Sequence, residues 1–116
     1  LFDDEIPGTT TQPWSSPLSR MAATIAMTHH EKWDGSGYPA GTSGEDIPIE
    51  GRITAIADVF DALSSERSYK EAFPLDRCFE ILREGRGKHF DPELLDVFLS
   101  CREDIERIQF ENREER

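Results

Sequence analysis

The stretch from His29 to Gly51 constrains the fold of this chain most, because it separates two helical patterns by a long irregular connection. It holds five of the chain's eight glycines and two of its seven prolines, residue types that favour turns over helix or strand. Irregular connections longer than about 12–15 residues are uncommon inside compact domains and are usually functional or disordered. Because strongly patterned segments flank this one on both sides, we interpret it as a functional site.

A predicted helix precedes this loop and another follows it. Ser16 and Pro17 form a capping residue followed by proline at the first helical position, and the helix that follows has one apolar face and delivers His29 and His30 inward. That face comprises Leu18, Met21, Ala22 and Ile25. After the loop, residues 52–65 are apolar on most sides, which predicts a helix that is buried nearly all round.

Two further helices are predicted in the second half of the chain. One follows Pro74 and ends at Gly85; the other begins at Asp91-Pro92 and continues as a single apolar face to Ile108. No segment shows strand alternation and no internal repeat occurs. The sequence therefore predicts an all-α helical bundle of about four helices.

Composition narrows the class of protein. A net charge of −11 argues against binding to DNA, RNA or a membrane surface, because such binding needs basic patches. Cys78 and Cys101 lie in apolar helical patterns without CxxC spacing, which predicts two small core residues in a reducing cytosol. No apolar run approaches the roughly 18 residues of a membrane span and no signal peptide is recognisable, so we expect a cytoplasmic protein without direct membrane contact.

Candidate metal ligands lie on both sides of the loop. His29 and His30 are adjacent at its start, and Asp58 and Asp61 form a polar stripe on the helix after it. Mixed imidazole and carboxylate ligands suit metals that activate water. We expect Asp58 to face a buried polar site, with Asp61 either beside it or holding a ligand in place. Spacing alone leaves open the alternative of a satisfied histidine and a solvated carboxylate pair.

Two cations follow the second helix. Arg67 and Lys70 could clamp a phosphate, with Arg67 forking onto its oxygens and Lys70 acting as a point charge. The alternative for Arg67 is a stabilising role at a helix C-terminus, where the helix dipole favours positive charge. His89, in GKHFDP, is interpreted as an ordinary residue at the start of a helix.

Several motifs together resemble one known family. The motifs HHEKWDGSGYPAG, GRITAIADVFDALSSERSYK and HFDPELLDVFL occur in the order and spacing of the HD-GYP domain, a subgroup of the HD metallophosphohydrolases, from about Leu18 to Leu99. The resemblance implies a helical bacterial phosphodiesterase that hydrolyses cyclic di-GMP to pGpG or GMP through a metal-bridging hydroxide. It also implies two or three divalent ions, Fe or Mn, and a role in second-messenger signal transduction.

The resemblance also assigns roles to individual residues. His29, His30 and Asp58 correspond to metal ligands, and Asp58, Arg67 and Lys70 to catalytic groups. The two cations also correspond to substrate-binding residues, together with the groove-lining signature Gly37, Tyr38 and Pro39.

The chain departs from the family at one point. The His-Asp dipeptide that gives the family its name, and that supplies central metal ligands, does not occur in this sequence. We therefore expect residues 18–112 to be the C-terminal part of the domain, inactive by itself, with residues 1–17 a linker or disordered arm and 113–116 a polar tail. Apolar faces left uncovered would favour a homodimer.

Two other functions stay open at this point. The first is a non-catalytic signalling module whose GYP loop docks a GGDEF or PilZ-type partner. The second is an HD-type hydrolase that acts on another nucleotide.

Overall fold

The computed structural model describes residues 16–66 and 70–114, and this part of the chain is all-α as predicted. Five α-helices follow one another: α1 (Pro17–Thr28), α2 (Ile49–Ser64), α3 (Leu75–Glu84), α4 (Pro92–Ser100) and α5 (Arg102–Glu114). A short 3₁₀ helix (Gly44–Asp46) interrupts the loop between α1 and α2. The described residues include no β-strand, and Arg86 and Phe90 form an isolated bridge. No helix in these two ranges is long and apolar enough to cross a membrane.

Helix α1 begins where its capping signal predicts. The Ser16 side chain accepts a hydrogen bond from the Ser19 backbone N–H at 3.0 Å, and Pro17 occupies the first turn. The helix packs against α2 but buries none of its own residues, and Leu18 is 77% exposed. The expected inward apolar face is therefore wrong for the described part of the chain, because Leu18, Met21 and Ala22 on that face are exposed.

Helix α2 is also less buried than its composition predicts. Its buried residues are Gly51, Ala55, Ile56, Phe60 and Ser64. The side that carries Ala57 and Asp58 is exposed, and Ile53 is 51% exposed. The prediction of burial on nearly every side is wrong, because α1, α3 and α4 pack against α2 but leave the positions of Ala57 and Asp58 exposed.

The core lies between α2, α3 and α4. Its buried cluster comprises Ile56, Phe60, Cys78, Phe79, Leu82, Phe90 and Leu95. The rings of Phe60 and Phe79 lie 5.5 Å apart, within the range of favourable aromatic pairs. Helix α3 follows its predicted pattern, and Gly85 caps its C-terminus. Cys78 is buried as predicted, and burial raises the pKa of its thiol.

The predicted fourth helix is in fact two helices. The backbone turns at Cys101, whose N–H donates to the carbonyl groups of Phe98 and Leu99 in a tightened last turn, and α5 starts at Arg102. Cys101 is exposed at this break, so its predicted place in the core is wrong. Leu95, which the predicted face omits, is fully buried.

An ion pair with little solvent exposure joins the starts of α2 and α4. Arg52 Nη1 lies 2.7 Å from Asp91 Oδ2, and the two side chains are 15% and 4% exposed. Asp91 also caps α4 by accepting from the N–H groups of Glu93 and Leu94. Arg52 Nε donates to the Ile47 carbonyl at 2.8 Å. The end of the long loop is thereby fixed to the helical core.

Candidate metal and phosphate site

His29 and Asp58 meet where α1 ends and α2 passes beside it. His29 caps the C-terminus of α1, and its Nε2 lies 3.7 Å from Asp58 Oδ2. Its Nδ1 lies 2.7 Å from the Ile25 carbonyl oxygen. Because a carbonyl oxygen only accepts, this contact places a proton on Nδ1 and leaves Nε2 on the side that faces the carboxylate.

This arrangement corrects one expectation about Asp58. Its side chain is 58% exposed, so it does not face a buried polar site. Asp61, one turn further, is also exposed, and it accepts a hydrogen bond from Ser65 Oγ at 3.1 Å. The two carboxylates of the polar stripe therefore lie on an exposed side of α2, next to the end of α1.

His30 extends the site toward the loop, but it is exposed, so its expected inward position is wrong. Its ring centroid lies 4.0 Å from that of His29. The Tyr38 ring stacks on the His30 ring, with a centroid distance of 4.9 Å and an interplanar angle of 18°. The Tyr38 N–H donates to the His30 carbonyl at 3.2 Å. The Tyr38–Pro39 peptide is cis, and the Tyr38 side chain is 60% exposed.

Gly37 is required by the close return of the loop onto the histidine segment. A Cβ at this position would lie 2.4 Å from the His30 carbonyl oxygen and 2.6 Å from the Lys32 nitrogen. The GYP signature therefore lies directly against His30, and a side chain at its first residue would push the loop away. Its role in substrate binding stays a prediction.

The donor set of the described residues fits part of a metal site. Zinc-like ions bind ligands at roughly 2.0–2.2 Å, so two ligands of one ion lie roughly 3–4 Å apart, a range that includes the distance between His29 and Asp58. However, among the residues that the structure describes, no group of three His, Cys, Asp or Glu side chains could hold a metal ion. The described residues therefore offer one imidazole and one carboxylate to a shared cation, with His30 beside them.

Of the two predicted phosphate-binding cations, the structure describes Lys70. Lys70 Nζ donates to the carbonyl groups of Glu71 at 3.1 Å and Ser65 at 3.4 Å, and it lies 5.3 Å from the centroid of the Phe73 ring. In the described part of the chain it makes no contact with His29 or Asp58. Arg67 lies outside the described residues, so the predicted phosphate clamp stays a prediction.

Glu31 is the residue that the sequence analysis missed. It is 3% exposed, and its two carboxylate oxygens accept hydrogen bonds from the backbone N–H groups of Ala40, at 2.8 Å, and Thr42, at 3.0 Å. An acidic residue after two histidines offers no periodic signal, because its partners lie nine and eleven residues further along the chain. Only the folded loop brings them together.

The start of the loop is held by the turn before α4. The Trp33 and Asp34 N–H groups donate to the carbonyl groups of His89, at 3.0 Å, and Lys88, at 2.9 Å. Burial, followed by the nearby charge of Lys32, lowers the pKa of the His89 imidazole. His89 therefore contributes its backbone to the loop and a neutral ring to the turn.

Comparisons with known proteins place this geometry in context. The HD domain family model matches residues 9–94. The chain is 53% identical over 89 residues to a cyclic di-GMP phosphodiesterase of Vibrio cholerae, covering 77% of this chain and 18% of that protein. It is 56% identical over 82 residues to the 3′3′-cGAMP-specific phosphodiesterase 2 of the same organism, covering 71% of this chain and 16% of that protein.

A solved structure shares the fold. The crystal structure of a cyclic GMP-AMP-specific phosphodiesterase of Vibrio cholerae is 30% identical and superposes with a TM-score of 0.63, over 73% of this chain and 19% of that one. The chain thus spans less than a fifth of the length of these three proteins.

Proposed function

The chain belongs to the HD domain family, and we propose that it is part of a metal-dependent phosphodiesterase that hydrolyses cyclic di-GMP in bacterial second-messenger signalling. The observation that carries the proposal is the approach of His29 Nε2 to Asp58 Oδ2, 3.7 Å apart, beside the loop that bears Gly37, Tyr38 and Pro39. The identity to a cyclic di-GMP phosphodiesterase over 77% of the chain supports the choice of substrate. The products would be pGpG or GMP.

The metal is the first component of the proposal. HD domains are metal-dependent hydrolases, and we propose two or three divalent ions, Fe or Mn, with His29, His30 and Asp58 among their ligands. When bound, such ions acidify a water molecule and neutralise phosphoryl oxygens. The Ile25 carbonyl would keep the His29 ring oriented with Nε2 free to bind.

The substrate contacts form the second component. The chain has a net charge of −11, so Lys70 and Arg67 would supply the positive charge that the substrate phosphate needs. They would also offset the negative charge that develops in the transition state. The exposed Tyr38 ring offers a face on which a guanine base can stack. Asp58 would bind the metal and would also help to fix the position of the His29 ring.

The extent of the domain is the third component. We propose that residues 18–112 form the C-terminal part of the HD domain, with 1–17 a linker or a loosely attached arm and 113–116 a polar tail. The partial donor set of the described residues and the lack of a His-Asp dipeptide support this division. The isolated chain would then be inactive, and the whole protein would act in the cytoplasm, as a homodimer if its exposed apolar faces pair.

A second substrate has specific support. The relative at 56% identity is named for 3′3′-cGAMP, so a mixed cyclic dinucleotide is the other candidate. The two substrates differ in one base, which makes discrimination a matter of contacts to that base and leaves the chemistry at phosphorus the same.

A substrate panel tests the proposal. The whole protein that contains this chain is loaded with Mn or Fe and incubated separately with cyclic di-GMP, 3′3′-cGAMP and linear pGpG, and the products are separated by chromatography. Preferred turnover of cyclic di-GMP supports the proposal, whereas preference for 3′3′-cGAMP supports the second candidate. Bound metal without turnover would favour a signalling module that docks a GGDEF or PilZ-type partner.

A further inference from the structure

The buried Glu31 carboxylate spans the two sides of the loop. It lies next to His30 in the chain, and its hydrogen bonds reach Ala40 and Thr42. A carboxylate that is 3% exposed is costly unless its oxygens are hydrogen-bonded, and bonds from N–H groups to a charged oxygen are stronger than neutral ones. Both oxygens of Glu31 have such a partner.

These bonds hold the segment that carries Tyr38. On the near side, the Tyr38 N–H donates to the His30 carbonyl and the two rings stack. On the far side, Glu31 holds Ala40 and Thr42. His30 and its neighbour Glu31 thus fix the chain on both sides of Tyr38, and together they determine the position of its ring.

The rest of the loop has separate anchors. The N–H groups of Trp33 and Asp34 are held by the turn before α4, and the Gly44 N–H donates to the Trp33 carbonyl at 2.9 Å. Loss of the Glu31 bonds would therefore leave residues 29–35 and Gly44 in place while freeing the segment between them. A local effect on Tyr38 is the expected result.

We propose that Glu31 is a positioning residue, which holds Tyr38 over His30 and thereby sets the affinity of the site for its cyclic dinucleotide. This inference rests on the proposed function. Glu31 itself is turned inward onto backbone N–H groups, so it acts through Tyr38 without touching the substrate.

The test compares Glu31→Gln with a matched control in the whole metal-loaded protein. Gln keeps the shape of Glu31 but presents an NH₂ group to one of the two N–H donors. Glu45→Gln is the same substitution at an exposed position of the same loop. Should Glu31→Gln fail to fold, Glu31→Asp keeps the charge but is one methylene shorter and cannot span both donors.

Two readouts separate positioning from a general structural role. We expect hydrogen exchange at the amides of Ala40 and Thr42 to quicken in Glu31→Gln, and the KM for cyclic di-GMP to rise roughly tenfold with kcat within about threefold of wild type. Glu45→Gln should change neither. This KM-against-kcat split marks lost binding in the presence of an intact catalytic centre.

The failures of the two proposals are distinguishable. Faster exchange with unchanged KM, or unchanged exchange, would overturn the role of Glu31 and leave the proposed function standing. A wild-type protein with bound metal and no turnover of any cyclic dinucleotide would overturn the proposed function and the role of Glu31 with it.

Discussion

The imidazole of His29 and the carboxylate of Asp58 lie 3.7 Å apart at Nε2 and Oδ2, although a long loop and more than two turns of α2 separate them in the chain. A different helix positions each side chain. His29 is held at the end of α1 by its hydrogen bond to the Ile25 carbonyl, and Asp58 lies in the middle of α2. The pair depends on how α1 packs against α2, so the loop between them has to close with a defined geometry.

Gly37→Ala should disrupt that geometry. The added Cβ would meet the His30 carbonyl oxygen at 2.4 Å and force the loop away from the histidine segment. We expect a loss of about 1–3 kcal/mol in the free energy of unfolding, the usual cost of overpacking, and a higher KM for the cyclic dinucleotide. Urea unfolding and steady-state kinetics measure the two effects.

Gly44→Ala is the control for this substitution. A Cβ there meets nothing within 4 Å, although the φ of +59° carries its own backbone cost. It should lower stability without raising KM. An equal rise in KM for both variants would contradict the steric account of Gly37.

Asp91→Ala should destabilise the chain more than any surface ion-pair substitution. It leaves Arg52 without its partner in a pair whose side chains are 15% and 4% exposed, and removes the cap of α4. Breaking such a pair costs about 3–5 kcal/mol. Asp96→Ala, which removes an exposed partner of Arg86, should cost much less, because solvent screens a surface ion pair. Urea unfolding of both variants checks the difference, and equal costs would refute the structural role of the Arg52–Asp91 pair.

His89 should make stability depend on pH. Its pKa is lowered in the folded state from the ordinary 6.5, mainly by burial, so the unfolded chain binds a proton more readily than the folded one. The contribution of the neutral His89 to the free energy of unfolding is therefore fully present above pH 6.5 and is lost as the pH falls below that value. We expect His89→Gln to lose less stability than wild type between pH 7 and pH 5, measured by urea unfolding at each pH. An identical pH slope in the two proteins would contradict this assignment.

Local signals in the sequence predicted the helix starts well. Ser16-Pro17 and Asp91-Pro92 act through contacts within a few residues, and both begin helices where predicted. The burial of α2 could not be predicted in the same way, since an apolar helix surface does not reveal whether another element covers it. For this reason Asp58 was expected to be buried and is exposed.

The candidate site was predictable only in part. The spacing of His29 and Asp58 suggested a shared site, and the structure brings them together. Glu31 was missed because its hydrogen-bond partners, Ala40 and Thr42, lie nine and eleven residues further along an irregular loop. The break at Cys101 was missed because the apolar pattern continues across it, while the polar run Arg102–Asp104 starts a new helix.

The most direct test of the account is the metal content and turnover of Asp58→Asn in the whole protein, with Asp104→Asn, an exposed residue of α5, as control. Loss of this ligand should reduce bound metal and lower kcat for cyclic di-GMP by at least roughly 10²-fold, since even outer partners of metal ligands are worth about 10–100-fold. Asp104→Asn should match wild type in both measurements. Wild-type metal content and turnover in Asp58→Asn would contradict the account.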